Sequence, residues 1–177
     1  MKFKKMIAVI SALGMMCAVV PVLSTENFSA IYASAQESGV ITKGTTEDGL
    51  SYEIYGTWDE EWDEEAGETK KINISYEYAV ITGYSGSKAN LTIPAQIQNA
   101  PVTEIAGYAF LHNGVVATVK IPDSITAIGP GAFSGCGNLS NVTLSKKLTY
   151  IDEGTFSGCS KLVEITIPDS VLSRASA

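Results

Sequence analysis

One pattern returns every 23 residues between Leu91 and Val171, and few folds accommodate it. Phe110, Phe133 and Phe156 stand 23 apart. So do Ile105, Ile128 and Ile151, and so do Ile121, Leu144 and Ile167. A fixed period of this length marks a chain that stacks one small unit on the next, because no single unit can bury its apolar side alone. Each copy holds a short alternating strand: Leu91-Thr-Ile93, Val119-Lys-Ile121, Val142-Thr-Leu144 and Ile165-Thr-Ile167. The two-residue period turns the apolar residues inward and Thr92, Lys120, Thr143 and Thr166 outward. Pro94, Pro122 and Pro168 end three of these strands, and Ser145 ends the other. Val102, Ile125 and Leu148, with the isoleucines at 105, 128 and 151, predict a second buried row on the opposite wall. The phenylalanines are expected in a tight turn, or one helical turn, filling the middle of each coil. Ile93 to Ile105 spans 12 residues where Ile121 to Ile128 spans 7, so a surface loop is expected within Ala95–Pro101.

The spaced positions carry a family resemblance. Ile121-Pro-Asp-Ser-Ile125, Ile128-Gly129, Ala132-Phe133, Cys136, Leu139, Val142 and Leu144 resemble the BspA-type leucine-rich repeat of bacterial surface proteins. Leu148, Ile151, Phe156, Cys159, Leu162, Ile165 and Ile167 repeat the match, and residues 81–105 resemble the start of such arrays. The chain departs from the pattern at Asn113, where the family slot holds Cys, and at Asp152 and Thr155, which replace Gly and Ala. Residues 36–80 carry little of the resemblance. It implies a right-handed β/α solenoid, β-dominated with short helical turns, at the cell surface or secreted, with protein-binding or adhesive roles. It supplies no catalytic residue.

Around the array the sequence divides into segments. Lys2, Lys4 and Lys5, the apolar run Met6–Val20 and Ala33-Ser34-Ala35 form an export signal over 1–35, with cleavage before Gln36. The run is short for a transmembrane helix. Met15-Met16 before Cys17 argues against a lipid-anchored cysteine. Residues 36–49 are polar and Gly/Thr/Ser-rich and read as a disordered linker. Leu50–Tyr55 and Ile72–Thr82 read as strands of a β-hairpin, and 50–88 as an N-terminal β cap with an acidic loop, since a solenoid end otherwise exposes apolar surface. The repeats occupy 89–171. Residues 172–177 read as a tail or a broken repeat: a fourth coil is due an Ile at 174, and Arg174 stands there.

The whole chain has 12 basic and 19 acidic residues, a net charge of −7. Loss of 1–35 would remove three lysines and Glu26 and make it more acidic. This balance excludes nucleic acid, whose phosphates require a basic footprint. Cys136 and Cys159 fill one slot of successive repeats. A buried column of free thiols is the preferred reading. A disulfide is the alternative, because stacked strands about 4.8 Å apart fall within its reach. Neither cysteine has a CxxC partner, so no metal or redox centre is expected.

Candidate chemistry is sparse. Asp59, Glu61 and Asp63 mimic a calcium loop, but Glu64 stands where its glycine belongs and Lys70 where its bidentate Glu belongs. No metal or cofactor site follows. The run Trp58–Glu65 reads as a solvated acidic loop. Trp58 and Trp62 either fold back as packing or stack on sugar rings, which makes them the candidate glycan-binding pair. His112, the only histidine, occupies a slot filled by Gly135 and Gly158 elsewhere, so the repeat has no use for its imidazole. No nucleophile–base pattern or phosphate loop is present, and an enzyme is not expected. The candidate partner surface is the outward strand ladder: Asn90, Thr92, Thr118 and Lys120, continued by Asn141, Thr143, Glu164 and Thr166. A scaffold fragment of a larger surface protein is the further alternative.

Overall fold

The structure, a computed structural model, describes residues 37–63, 65–171 and 173–174. The export signal and Cys17 lie outside the described residues. The described residues form two compact units: one takes in 37–39 and Thr57–Ser75, the other Val40–Gly56 and those from Tyr76 onward.

The second unit is a stack of coils with two walls. One wall is a parallel sheet of β4 (Asn90–Thr92), β7 (Thr118–Lys120) and β9 (Asn141–Thr143). Its register joins Leu91 to Val119 and Val119 to Val142. The other wall runs from β3 (Glu68–Tyr84) through β6 (Ala100–Ile105), β8 (Ala127–Ile128) and β10 (Tyr150–Ile151) to β11 (Ser173–Arg174). Its register aligns Ile81, Ile105, Ile128, Ile151 and Arg174. The isoleucine column therefore begins one rung earlier than the repeat shows, at Ile81, and the expected fourth isoleucine position is filled by Arg174. The fourth strand expected at Ile165–Ile167 does not form. Ile165 and Ile167 still pack half-buried against the core.

Between the walls the aromatic rings stack along the coil axis. Phe110 and Phe133 lie 4.7 Å apart at 14°, and Phe133 and Phe156 lie 5.5 Å apart at 7°. Tyr84 heads the column, 5.7 Å from Phe110. Phe110 and Phe133 are fully buried.

The expected helical turns are absent: no helix occurs among the described residues. The reason is how the amides are spent. The amides of Tyr108, Phe110 and His112 donate to Pro130, Ala132 and Ser134 of the next coil, at 3.0, 2.8 and 2.8 Å. Those of Gly131, Phe133 and Gly135 donate onward to Glu153, Thr155 and Ser157 in the same way. Only the intervening amides bond locally, Leu111 to Tyr108 and Ser134 to Gly131 among them, each closing a tight turn. A helix needs consecutive amides pointed along its own axis, and here alternate ones serve the stack.

The five-residue insert is a hairpin. β5 (Gln96–Ile97) pairs antiparallel with the start of β6, Ile97 opposite Ala100. Gln98 and Asn99 take φ values of 48° and 68° at its tip, the two left-handed residues of a type I′ turn. Ile97 and Ala100 are buried, so the insert adds to the core.

The linker reading of 36–49 is wrong for most of its length. Glu37–Thr45 is strand β1, beside β2 (Leu50–Asp63) in the sheet order β1-β2-β3. Its glycine content misleads. A Cβ on Gly44 would sit 2.6 Å from the Tyr52 hydroxyl, so this glycine makes room for a ring. Gly49, at φ 87°, closes the β1–β2 turn by donating to Thr46 at 2.9 Å. The strands of the expected hairpin are present and longer than the sequence indicates. The acidic stretch from Trp58 to Asp63 belongs to β2 rather than to a loop, and the turn falls after it, where Gly67 has φ 68°.

Each buried phenylalanine contributes roughly 1.5–3 kcal/mol of transfer free energy. Phe133 is held between two other rings, and Phe133→Ala should cost about 3–5 kcal/mol. In a domain of ordinary marginal stability, that removes the cooperative thermal transition. Circular dichroism melting checks it: a sharp and little-shifted transition would refute the central stack.

Candidate functional site

Strand alternation and register together build the outward ladder. Leu91 and Val119 are buried and Val142 is half-buried, which turns their neighbours to solvent. Asn90, Thr118 and Asn141 align as one row, and Thr92, Lys120 and Thr143 as the other. The Thr118 hydroxyl donates to Asn90 Oδ1 at 2.8 Å, which fixes one end of the first row. Lys120 stands exposed in the centre of the second. Glu164 and Thr166 are exposed as well, but no strand carries them into register with the others. Six of the eight predicted residues are thus brought together.

The two tryptophans do not form a pair of platforms. Trp58 is 8% exposed and Trp62 46%. The Lys71 ammonium lies 3.4 Å from the Trp58 ring centroid, and the Trp58 indole donates to Glu60 at 3.5 Å. A cation seated on a ring occupies the face that a sugar would use. Trp62 alone remains accessible. Asp59 and Asp63 beside it are tied to local partners. Asp59 accepts from the Asn73 amide at 2.8 Å. Asp63 accepts from the Ala66 amide and from Lys70, both at 3.1 Å, and these hold its carboxyl below the usual carboxylate range. Their role is to stiffen the β2–β3 turn.

The cysteines are free and buried. Cys136 Sγ donates to the Phe110 carbonyl at 3.0 Å, and Cys159 Sγ to the Phe133 carbonyl at 3.1 Å, each reaching back one coil. Burial pushes the Cys136 thiol up to about 11, and Cys159 in the same direction. A thiol so shifted holds almost no thiolate near neutrality and is a poor nucleophile and metal ligand. Asn113 occupies the first position of this column. Its Oδ1 accepts from the amides of Val115 and Val116, both at 2.9 Å, and so closes its own turn, whereas the later thiols reach back to the preceding coil. His112 is exposed at φ 53°, the left-handed backbone that Gly135 and Gly158 adopt at 72°.

Two walls of short parallel strands around an aromatic column define a β-solenoid built from leucine-rich coils. A model of the BspA type leucine rich repeat region matches residues 66–176 in six copies, well over half of the chain. The protein belongs to that family, and the match reaches back into β3, where the isoleucine column starts. Among solved structures, a leucine-rich repeat protein from Bacteroides capillosus is 31% identical with a TM-score of 0.55, over 73% of this chain and 84% of that one. The leucine-rich repeat protein of T. pallidum is 28% identical with a TM-score of 0.53, over 64% of this chain. The match takes in 49% of that chain, about half its length. A leucine-rich cell surface protein from Faecalibacterium prausnitzii is 25% identical with a TM-score of 0.51, over 74% of this chain and 28% of that one. Among curated proteins no relative matches.

The thiol geometry predicts reactivity. An aromatic disulfide reagent at pH 8 should leave both Cys136 and Cys159 unmodified in the folded protein and titrate both in denaturant. Rapid labelling of either thiol in the native state would show that the column is open.

Proposed function

We propose that the protein is an exported, non-catalytic module that binds a protein partner at the cell surface or outside the cell, through the outward face of β4, β7 and β9. The observation that carries this reading is the ladder itself. Five of its six residues are exposed, and the register holds them in two parallel rows on backbone that the stack makes rigid. Solenoids present extended faces of this kind to partners. Leucine-rich repeat proteins commonly bind proteins, and the cell-surface relative from Faecalibacterium prausnitzii agrees with an extracellular setting. The basic and apolar start of the sequence and its Ala33-Ser34-Ala35 site support export. The ladder is small beside the roughly 800 Å² per partner of a standard interface, so the contact extends over Glu164 and Thr166 or over neighbouring turns. On this reading β1 to β3 cap the array's first coil, which is supported by Leu50, Tyr52 and Ile54 of β2 joining the core that holds Ile81.

The non-catalytic reading rests on the character of the polar groups. The perturbed carboxyls, Glu53 and Asp63, are engaged by Lys43 and by Lys70 with the Ala66 amide, and the thiols are shifted away from reactivity.

A Lys120→Glu/Thr143→Glu variant places two charges in the middle of the ladder without touching the core. It should weaken binding at least tenfold to the partner recovered by cross-linking on cells, while the thermal melt stays that of the parent. Unchanged affinity would move the interface off this wall. Trp62 is a second contact point, favoured by its exposure. A saturable fluorescence change with a glycan, lost in Trp62→Ala, would assign it a role in carbohydrate contact; no change would leave it outside any such site.

A further inference from the structure

The turn from Ile105 to Ala117 departs from the turns that follow it in three slots. Tyr108 and His112 stand where the next two coils place Gly131, Gly154, Gly135 and Gly158, and Asn113 stands where they place Cys136 and Cys159. The two rings adopt φ of 60° and 53°, and the glycines of the next coil give them room. A Cβ at Gly131 would stand 2.6 Å from Tyr108 Cε1, and one at Gly135 would overlap His112 Nδ1. The third departure rearranges the hydrogen bonds of the turn, and with them the chemistry open to it.

In the later coils the backbone closes this turn twice. The amides of Leu139 and Leu162 donate to the carbonyls of Cys136 and Cys159, both at 3.0 Å. Those of Gly137 and Ser160, which follow the cysteines, donate to the carbonyls of Gly135 and Gly158 at 2.8 and 3.0 Å. Neither bond has a counterpart around Asn113. Val116, in the slot of Leu139, gives its amide to Asn113 Oδ1 instead, and Val115 does the same. The Gly114 amide, in the slot of Gly137, donates to no group among the described residues.

Both changes favour attack of the Gly114 nitrogen on the Asn113 side chain. The attack closes a succinimide ring, and negative charge develops on Oδ1 as its C=O bond opens. Two N–H groups already aimed at that oxygen at 2.9 Å stabilise such a charge, as an oxyanion hole does. The nitrogen has no partner to give up. Nucleophile and target are chain neighbours, so no encounter has to be arranged. Gly114 is exposed, with open space where a Cβ would stand, so water reaches its proton and nothing crowds the ring. Asn113-Gly114 is also the one Asn-Gly step in the sequence.

We propose that Asn113 is a site of spontaneous covalent modification. The Gly114 nitrogen gives its proton to water and bonds to Asn113 Cγ; the Cγ–Nδ2 bond breaks, and Nδ2 takes a proton and leaves as ammonia. Water then opens the cyclic imide at either carbonyl. One opening gives aspartate at 113, the other isoaspartate, with the main chain running through Cγ. Nothing is oxidised or reduced, and water is the only co-reactant. Either product adds a negative charge to a turn that has no Asp, Glu, Lys or Arg from Ile105 to Ala117. Aspartate keeps an oxygen for both amides. Isoaspartate lengthens the main chain by a methylene just before Gly114, whose carbonyl accepts from Asn138 Nδ2 of the next coil at 2.6 Å, and so loosens that tie.

The full chain, held folded at mildly alkaline pH, tests this. Native isoelectric focusing should show an acidic species growing in, and a peptide map should place both aspartate and isoaspartate at 113. Conversion should be about tenfold faster than in denaturant, a barrier about 1.4 kcal/mol lower, since only the folded turn aims two amides at Oδ1. Gly114→Ala should slow it by at least as much and keep the parent's melt, because nothing lies within 4 Å of the added Cβ. The proposal is overturned if Asn113 converts no faster folded than unfolded, if aspartate forms without isoaspartate, if Gly114→Ala converts at the parent's rate, or if another asparagine reacts first.

Discussion

Alternate amides of each turn donate to the coil ahead, and everything else in the array depends on that. Because Phe110 and Phe133 give their amides to Ala132 and Thr155, each ring is held at a fixed height over the next. The same bonds keep the turn from winding into a helix. They also keep its residues in register, so that a slot in one coil faces the same slot in the next. The rings, the isoleucines and the thiols are columns for this reason. A buried amide with a backbone partner costs nothing further, whereas an unpaired one costs about 1–3 kcal/mol, and the stack supplies backbone partners for the alternate amides of these turns.

The columns were readable because a repeat samples one environment many times. A single Phe at 133 says little; three at the same interval identify a shared site. The readings that failed lie where a position occurs once or at an end. Glycine in 36–49 reads as flexibility when only composition is available. Gly44 is there because Tyr52 presses on the strand, and that contact joins residues whose pairing no local pattern announces. The acidic stretch reads as a loop for a similar reason. Its alternation, with Trp58 buried and Asp59 half-exposed, is masked because both faces of β2 carry acids. The expected helical turns failed on a subtler point. Local sequence allows a helical turn around Phe133, but the amide is already committed 22 residues ahead.

The candidate site was legible in part. Outward positions follow from the two-residue period, and the register then aligns six of eight. Glu164 and Thr166 join the ladder only by analogy with the earlier strands, and their segment does not form one. For Trp58 residue type allows both packing and sugar stacking, and the burial under Lys71 that decides for packing comes from cross-strand placement that no motif encodes. His112 was set aside because the repeat does not require it, yet its backbone angle becomes informative once compared with Gly135 and Gly158.

The glycines that seat Tyr108 and His112 bear on how such arrays diverge. Gly131 is glycine partly because of a residue 23 positions earlier, so the two sites are not free to vary separately. A bulky residue can enter the slot in one coil only where the coil above already lacks a side chain there. Substitutions in the stack therefore have an order, and the direction is set by the coil axis: each coil's permissible surface is conditioned by the one that follows it. Novelty enters most easily at the early coils, while the later ones keep the small residues that make it sterically allowed.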